Sequence, residues 1–201
     1  MPTHQYDERL DNLLRTAAHV FAEQGYHATS MRDLSKATGM SLAGMYYYVR
    51  CKDELLYQIQ ERCFVGVLEG ARAALDSGTD LGDRIDRLIR YHVTFFTEHM
   101  SEMKVLSHEA DSLTKERQES INLLKKEYVT LLADLIGDAQ EDGAKADKHV
   151  ATYALFGMMN WIYTWYDPEG EIKPHQLAEQ FSEVFLHGIL TSTTSAIPHG
   201  G

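Results

Sequence analysis

His108 and Glu109 begin the His-Glu-x-x-His pattern in which two imidazoles on one helix face hold zinc beside a glutamate base, but Ser112 stands where the second histidine belongs. That zinc site fails. The ten histidines are otherwise scattered without ligand spacing, and neither a glycine-rich phosphate loop nor a Gly-x-Ser-x-Gly elbow occurs in the 201 residues. No catalytic residue, no metal and no cofactor are expected. Cys51 and Cys63 lie 12 residues apart, which on a helix turns their side chains about 120° from each other. They read as free thiols of a reducing compartment.

Taken as a sum, the net charge of −11 speaks against a nucleic-acid partner, because neutralising phosphates needs Lys and Arg. Its distribution changes that reading. Residues 1–52 carry six basic side chains (Arg9, Arg15, Arg32, Lys36, Arg50 and Lys52) against five acidic ones, leaving 13 basic and 25 acidic beyond them. The N-terminal end is therefore the one suited to face DNA. No apolar run approaches the ~18 residues of a membrane span, and Met1 to Asp7 lacks the basic-then-apolar order of a secretion signal. A cytoplasmic protein without a membrane partner is expected.

The elements that must position any functional residue are helical. Period-2 alternation is nearly absent while apolar residues recur at helical spacing, so the fold class is all-α. A first helix is expected from Asp7 to Gln24, with Leu10, Leu13, Leu14, Ala17 and Phe21 on one stripe and Gly25 as its stop. Ser30-Met31-Arg32-Asp33 has capping-box spacing and opens a second helix ending at Gly39. Ser41 caps a short third helix to Val49, and a long fourth runs from Lys52 to Leu75. Met45-Tyr46-Tyr47-Tyr48-Val49 has strand propensity, but no partner strand is visible, so it stays with the third helix. Further amphipathic helices are expected at 80–99, 101–112, 115–140, 147–166 and 174–190, with Asp167-Pro168-Glu169-Gly170 as a turn and a frayed end from Thr191.

Two short helices joined by Thr38-Gly39-Met40-Ser41 have the dimensions of a helix-turn-helix, in which the glycine takes the left-handed turn and the second helix enters the major groove of double-stranded DNA. Gly25-Tyr26, Thr29-Ser30-Met31-Arg32-Asp33-Leu34, Thr38 to Ser41, Met45 to Tyr48 and Lys52-Asp53-Glu54-Leu55 follow in an order and spacing that closely resembles the N-terminal domain of TetR-family repressors over residues 9–56. The resemblance implies a three-helix helix-turn-helix domain at 1–52 and a larger helical ligand-binding and dimerisation domain at 53–201, with ligand releasing the operator. It also implies that Leu42 and Ala43 read base edges, that Tyr47, Tyr48 and Lys52 contact phosphates, and that Tyr46 lies near the DNA. Thr29, Ser30 and Ser41 complete the candidate interface. Position 42 is often polar or basic in that family, so a leucine there implies apolar contact with thymine methyls. Val49 and Cys51 also depart from the family's common phenylalanine and capping serine. Met31, Leu34, Ala37, Met40, Met45 and Val49 are expected in the core. Three successive side chains cannot all face one groove, so one tyrosine should be buried, and Tyr46 is the expected one.

In the C-terminal part, Leu177, Phe181, Val184, Phe185, Gly188 and Ile189 form a stripe on the final helix, and Tyr153, Gly157, Trp161 and Trp165 form one on the helix before it. A homodimer through these last two helices is expected, as the resemblance implies and as a palindromic site requires. The alternative is that both stripes face their own core. Met103, Leu106, Tyr128, Met158, Trp161 and Trp165 offer adaptable apolar surface for a small hydrophobic ligand. Ser107 to Leu113, Arg117 to Tyr128 and Gly157 to Tyr166 together resemble, more loosely, TetR-family regulators of fatty-acid or steroid degradation that respond to acyl-CoA thioesters. A long-chain acyl-CoA effector is thereby implied, with His108 in the first of these segments and with Arg117, Lys125 and Lys126 offered to CoA phosphates, unless that charge run is only a solvated face. Two other functions stay open. One is an efflux-type regulator responding to aromatic or cationic compounds. The other is a helical enzyme or carrier of CoA esters, for which residues 25–55 would have no use.

Overall fold

The computed structural model describes residues 3–139 and 147–189, and it contains helices and no strand among them. The helices are α1 (Thr3–Gln24), α2 (Met31–Thr38), α3 (Leu42–Tyr48), α4 (Lys52–Asp76), α5 (Leu81–Glu98), α6 (Met100–His108), α7 (Lys115–Ala139), α8 (Lys148–Asn160) and α9 (Pro174–Ile189). The frayed end expected from Thr191 lies outside the described residues, as do the side chains of Gly188 and Ile189. Contacts divide the chain into two compact units, Met1–Gly70 with Phe95–Tyr128 and Ala71–Thr94 with Val129–Gly201.

In the first unit the apolar stripe of α1, Leu10, Leu13, Leu14, Ala17 and Phe21, is buried as its spacing requires. It shares a core with Leu34 of α2, Met45 of α3, Val49, and Leu55, Leu56 and Ile59 of α4. Val105, Leu113 and Ile121 join the same cluster. The core that holds the helix-turn-helix thus reaches well past residue 52, because three helices of this length cannot enclose a core alone. α1 packs on both α2 and α6. It begins at Thr3, a turn before the expected Asp7, and that turn carries Tyr6 against the rings of Tyr47 and Tyr48 at 5.8 and 4.8 Å.

Two helices end earlier than their apolar periodicity suggests. α6 stops at His108, after which Ala110–Ser112 tightens into a 3-10 turn closed by the Ser112 hydroxyl donating to Glu109 at 2.6 Å. α8 stops at Asn160, and Ile162–Thr164 forms a second 3-10 turn in which Thr164 donates its hydroxyl to the Trp161 carbonyl at 2.7 Å. The run Trp161-Ile162-Tyr163-Thr164-Trp165 is all β-branched or aromatic, and such residues lose side-chain freedom in a helix.

The second unit buries Ile85, Leu88, Ile89 and Val93 of α5, Leu132 and Ile136 of α7, Leu155 and Met159 of α8, and Leu177 and Phe185 of α9. Two of its buried hydroxyls are satisfied by hydrogen bonds: Thr152 donates to the Lys148 carbonyl at 2.7 Å, and Ser182 donates to Asp86. His92 is fully buried beside Phe156, and burial pushes its imidazole down to about 3 against an opposing hydrogen bond with Asn160.

Candidate nucleic-acid interface and effector-binding residues

Both ends of α2 and the start of α3 are fixed by local structure. Ser30 accepts from the Asp33 amide at 3.3 Å while Asp33 accepts from the Ser30 amide at 3.0 Å, so the expected capping box is present. The Ser30 hydroxyl also donates to Asp33 at 2.6 Å, and these bonds hold that carboxyl below its ordinary value. At the other end Gly39 takes φ 68°, a left-handed conformation that costs a side-chain-bearing residue energy. Thr38 donates to the Leu34 carbonyl at 2.8 Å, Ser35 donates to the Met40 carbonyl at 2.6 Å, and Ser41 caps α3 by accepting from the Gly44 amide at 3.0 Å. The relative direction of α2 and α3 is therefore set by hydrogen bonds within one short segment.

α3 buries Met45 and turns Ala43, Tyr46 (52% exposed) and Tyr47 (72% exposed) outward, with Leu42 half-buried beside them. The sheltered tyrosine is Tyr48 and not Tyr46: the longer α1 brings Tyr6 over it. Ala37, expected in the core, is exposed, and Met31 and Met40 are half-buried.

Lys52 and Thr29 also depart from their expected roles. The Lys52 ammonium donates to the carbonyls of Tyr26 (2.7 Å) and Thr29 (2.8 Å) and sits 4.3 Å from the centre of the Tyr26 ring. It ties the loop after α1 to the start of α4 and is not held out to a phosphate. Thr29 is 2% exposed and donates its hydroxyl to the Gly25 carbonyl at 2.8 Å. Ser30 and Ser41 are exposed, with their hydroxyls spent on the caps. Exposed cations are supplied instead by Arg32 and Lys36 on α2 and by Arg50. Their signal in the sequence was the i, i+4 spacing of Arg32 and Lys36, which puts both on one face of α2, opposite its buried residue Leu34.

Of the residues assigned to a hydrophobic ligand, Met103, Leu106 and Tyr128 are buried in the first unit, while His108 is exposed. Arg117 is committed to an ion pair with Asp53 and lies 5.4 Å from the Tyr57 ring, so it belongs to the packing of α7 on α4 and is withdrawn from the phosphate-binding assignment. Lys125 is half-buried with its ammonium 5.4 Å from the Phe64 ring, and burial lowers its pKa. In the second unit Met158 is half-buried, but Trp161 (62% exposed) and Trp165 (51% exposed) stand in solvent, which removes both from an enclosed pocket. Trp161, the C-cap of α8, follows an exposed face of that helix formed by Val150, Tyr153 and Gly157.

A polar chain joins the segment after α6 to the helix-turn-helix. His27 Nε2 lies 3.1 Å from the Ser112 hydroxyl, Ser112 donates to Glu109, and the buried Gln60 donates its amide to the Glu109 carbonyl at 3.2 Å. Together with the Arg117 to Asp53 pair, this connects residues 109–117 to the loop after α1 and to the start of α4.

The family model described as "Bacterial regulatory proteins, tetR family" matches residues 13–59, and that described as "Tetracyclin repressor-like, C-terminal domain" matches residues 78–189, more than half of the chain. The chain is 25% identical to the HTH-type transcriptional repressor KstR2 of Mycolicibacterium smegmatis over 92% of each protein. Among solved structures it is similar to AibR in complex with isovaleryl coenzyme A and operator DNA, with TM-score 0.78 and 27% identity over 88% of this chain and 97% of that one. It also shares its fold with the ketosteroid regulator KstR2 of Mycobacterium tuberculosis, with TM-score 0.84 and 22% identity over 91% of this chain and 95% of that one.

Proposed function

Because the chain belongs to the TetR family of bacterial regulatory proteins, which are transcription regulators and not enzymes, we propose that it is a homodimeric repressor that holds an inverted-repeat operator through α3 and releases it when an acyl-CoA thioester binds. The observation that carries this reading is the outward face of α3, where Leu42, Ala43, Tyr46 and Tyr47 stand on a helix whose direction is fixed by the capped turn before it. Leu42 and Ala43 are small enough to bring the helix close to base edges and apolar enough to favour thymine methyls. The Tyr47 hydroxyl and the exposed Arg32, Lys36 and Arg50 are suited to phosphate oxygens, which position the protein without reading sequence.

The homodimer is assigned to α8 and α9. Val150, Tyr153 (62% exposed), Trp161 and Val184 (64% exposed) leave an apolar surface that a monomer would hold in water at a cost. Nothing lies within 4 Å of where a Cβ of Gly157 would be, so a partner helix has room to approach the α8 backbone. Leu177 and Phe185 of the expected stripe are buried in their own unit and take no part.

The acyl chain is assigned to the interior near Met103, Leu106 and Tyr128, and Gln60 Oε1, buried without a hydrogen-bond partner, can accept from an amide N–H of the pantetheine arm. The AibR structure, which holds an acyl-CoA and operator DNA, and the repressor name of KstR2 support the effector class and the sense of regulation. Release requires that the ligand bind better to a state in which the two recognition helices no longer match the grooves. The links from residues 109–117 to the helix-turn-helix are the route by which such a change reaches α3.

Selection from randomised duplexes tests the reading. An inverted repeat should be enriched, with half-site centres about 34–36 Å or a multiple of that apart. Leu42→Ala should change the preferred half-site, whereas Tyr47→Phe should weaken all sequences alike. Enrichment of no sequence, or full affinity for an isolated half-site, would contradict it.

A further inference from the structure

In the first unit, a cleft of about 280 Å³ opens among α1, α4 and the junction of α5 with α6. Its volume falls short of the roughly 300–1,000 Å³ that encloses a whole drug-sized ligand, so it accommodates one part of a larger molecule. Its floor is apolar, formed by Leu14, Ile59 and Cys63, and Cys63 Sγ lies 3.8 Å from the sulfur of Met103, one of the buried residues assigned to the acyl chain. The cleft therefore borders that interior. Its rim carries the exposed guanidiniums of Arg15 and Arg62 together with Glu102. Phe95 and His99 stack in its wall with ring centres 4.1 Å apart and planes within 15°, and His99 Nδ1 lies 2.7 Å from the Phe95 carbonyl, which fixes the imidazole. Gly66 packs directly against this wall: a Cβ there would come within 3.3 Å of the Phe95 ring.

We propose that this cleft is the seat of the nucleotide end of the thioester, an inference that rests on the acyl-CoA reading above. Guanidiniums bind phosphate oxygens through paired N–H donors, and Arg15 has no ion-pair partner among the described residues. A purine lies flat on an aromatic wall such as Phe95 and His99. The Glu102 carboxylate can accept from the exocyclic amine of adenine. Asp11, the other carboxylate at the cleft, is paired with Arg62, and both partners are substantially exposed. Such a pair is weakly held, so a phosphate that takes Arg62 displaces Asp11. Asp11 belongs to α1, the helix whose first turns carry Tyr6 against Tyr47 and Tyr48. Phosphate binding at Arg62 would thus cut one tie between α4 and α1, the helix that also touches the recognition helix.

Calorimetry on the full chain compares an acyl-CoA with the matching S-acyl-pantetheine, which lacks the nucleotide, in the wild type and in Arg15→Ala/Arg62→Ala. The wild type should prefer the acyl-CoA at least tenfold, and in the double variant that preference should fall to about one. A wild type that binds both ligands equally, or a preference that survives the double substitution, overturns the proposal. If neither thioester binds, the acyl-CoA reading itself fails, and adenosine 3′,5′-bisphosphate then tests the cleft alone. Binding that is lost in the double variant retains the cleft as a nucleotide site, and absence of binding to the wild type overturns it.

Discussion

Lys52 shows how a single side chain divides stability from recognition. Its ammonium serves two carbonyls of the loop after α1, so Lys52→Ala should lower unfolding free energy by about 1.5–3 kcal/mol, the range for hydrogen bonds to a charged group. Binding to DNA should weaken only as far as the loop is loosened, and the dependence of log affinity on log salt should stay unchanged. Arg50→Ala should do the opposite, leaving chemical denaturation nearly unaltered while reducing that salt slope by about one unit. A reduced slope for Lys52→Ala would return that residue to the phosphate contacts. The sequence placed Lys52 correctly at the start of α4, but the direction of its ammonium depends on the carbonyls of Tyr26 and Thr29, more than 20 residues away. Arg117 was hidden for the same reason: its partner Asp53 is 64 residues distant, and within its own helix it reads as part of a solvated charge run.

At the scale of elements, the features that were legible are those whose determinants are local. Ser30 with Asp33, Gly39 and Ser41 each act within a few residues, and all take the positions their spacing implies. Strand propensity in Met45 to Val49 is overridden because Met45 and Val49 are buried against the other helices, a contact that only a helix allows with Tyr46 and Tyr47 outside. What local pattern did not reveal are the early ends of α6 and α8, each set by side-chain bonds in the following 3-10 turn, and the shelter of Tyr48, set by an added turn of α1. Gly39 provides the test at this scale. No atom lies within 4 Å of a Cβ there, so Gly39→Ala acts through its φ of 68° alone and should cost about 1–2 kcal/mol. Gly39→Asn should lose less, since asparagine tolerates the left-handed region better. Equal losses measured by thermal unfolding would mean that the turn is held by something other than its backbone conformation.

For the molecule as a whole, His92 ties stability to pH. The folded protein keeps the imidazole neutral down to about 3, whereas the unfolded chain takes up a proton near 6.5. Its contribution is therefore complete above pH 6.5 and is lost as pH falls toward 3. Unfolding free energy should decline across that window, and His92→Gln should flatten the decline when the two proteins are compared by denaturant titration. An unchanged profile would show that other groups govern the acid limb.

The central claim, that an acyl-CoA and the operator compete for different states of one regulator, is tested most directly by fluorescence anisotropy of a labelled operator titrated with acyl-CoAs of increasing chain length. Release is predicted, with potency rising as methylenes are added, at about 0.8 kcal/mol for each one buried, until the interior near Met103, Leu106 and Tyr128 is filled. By reciprocity the operator should weaken acyl-CoA binding by the same factor. An operator that stays bound throughout the series but is freed by a cationic aromatic compound would contradict the account and assign the protein to efflux-type regulation.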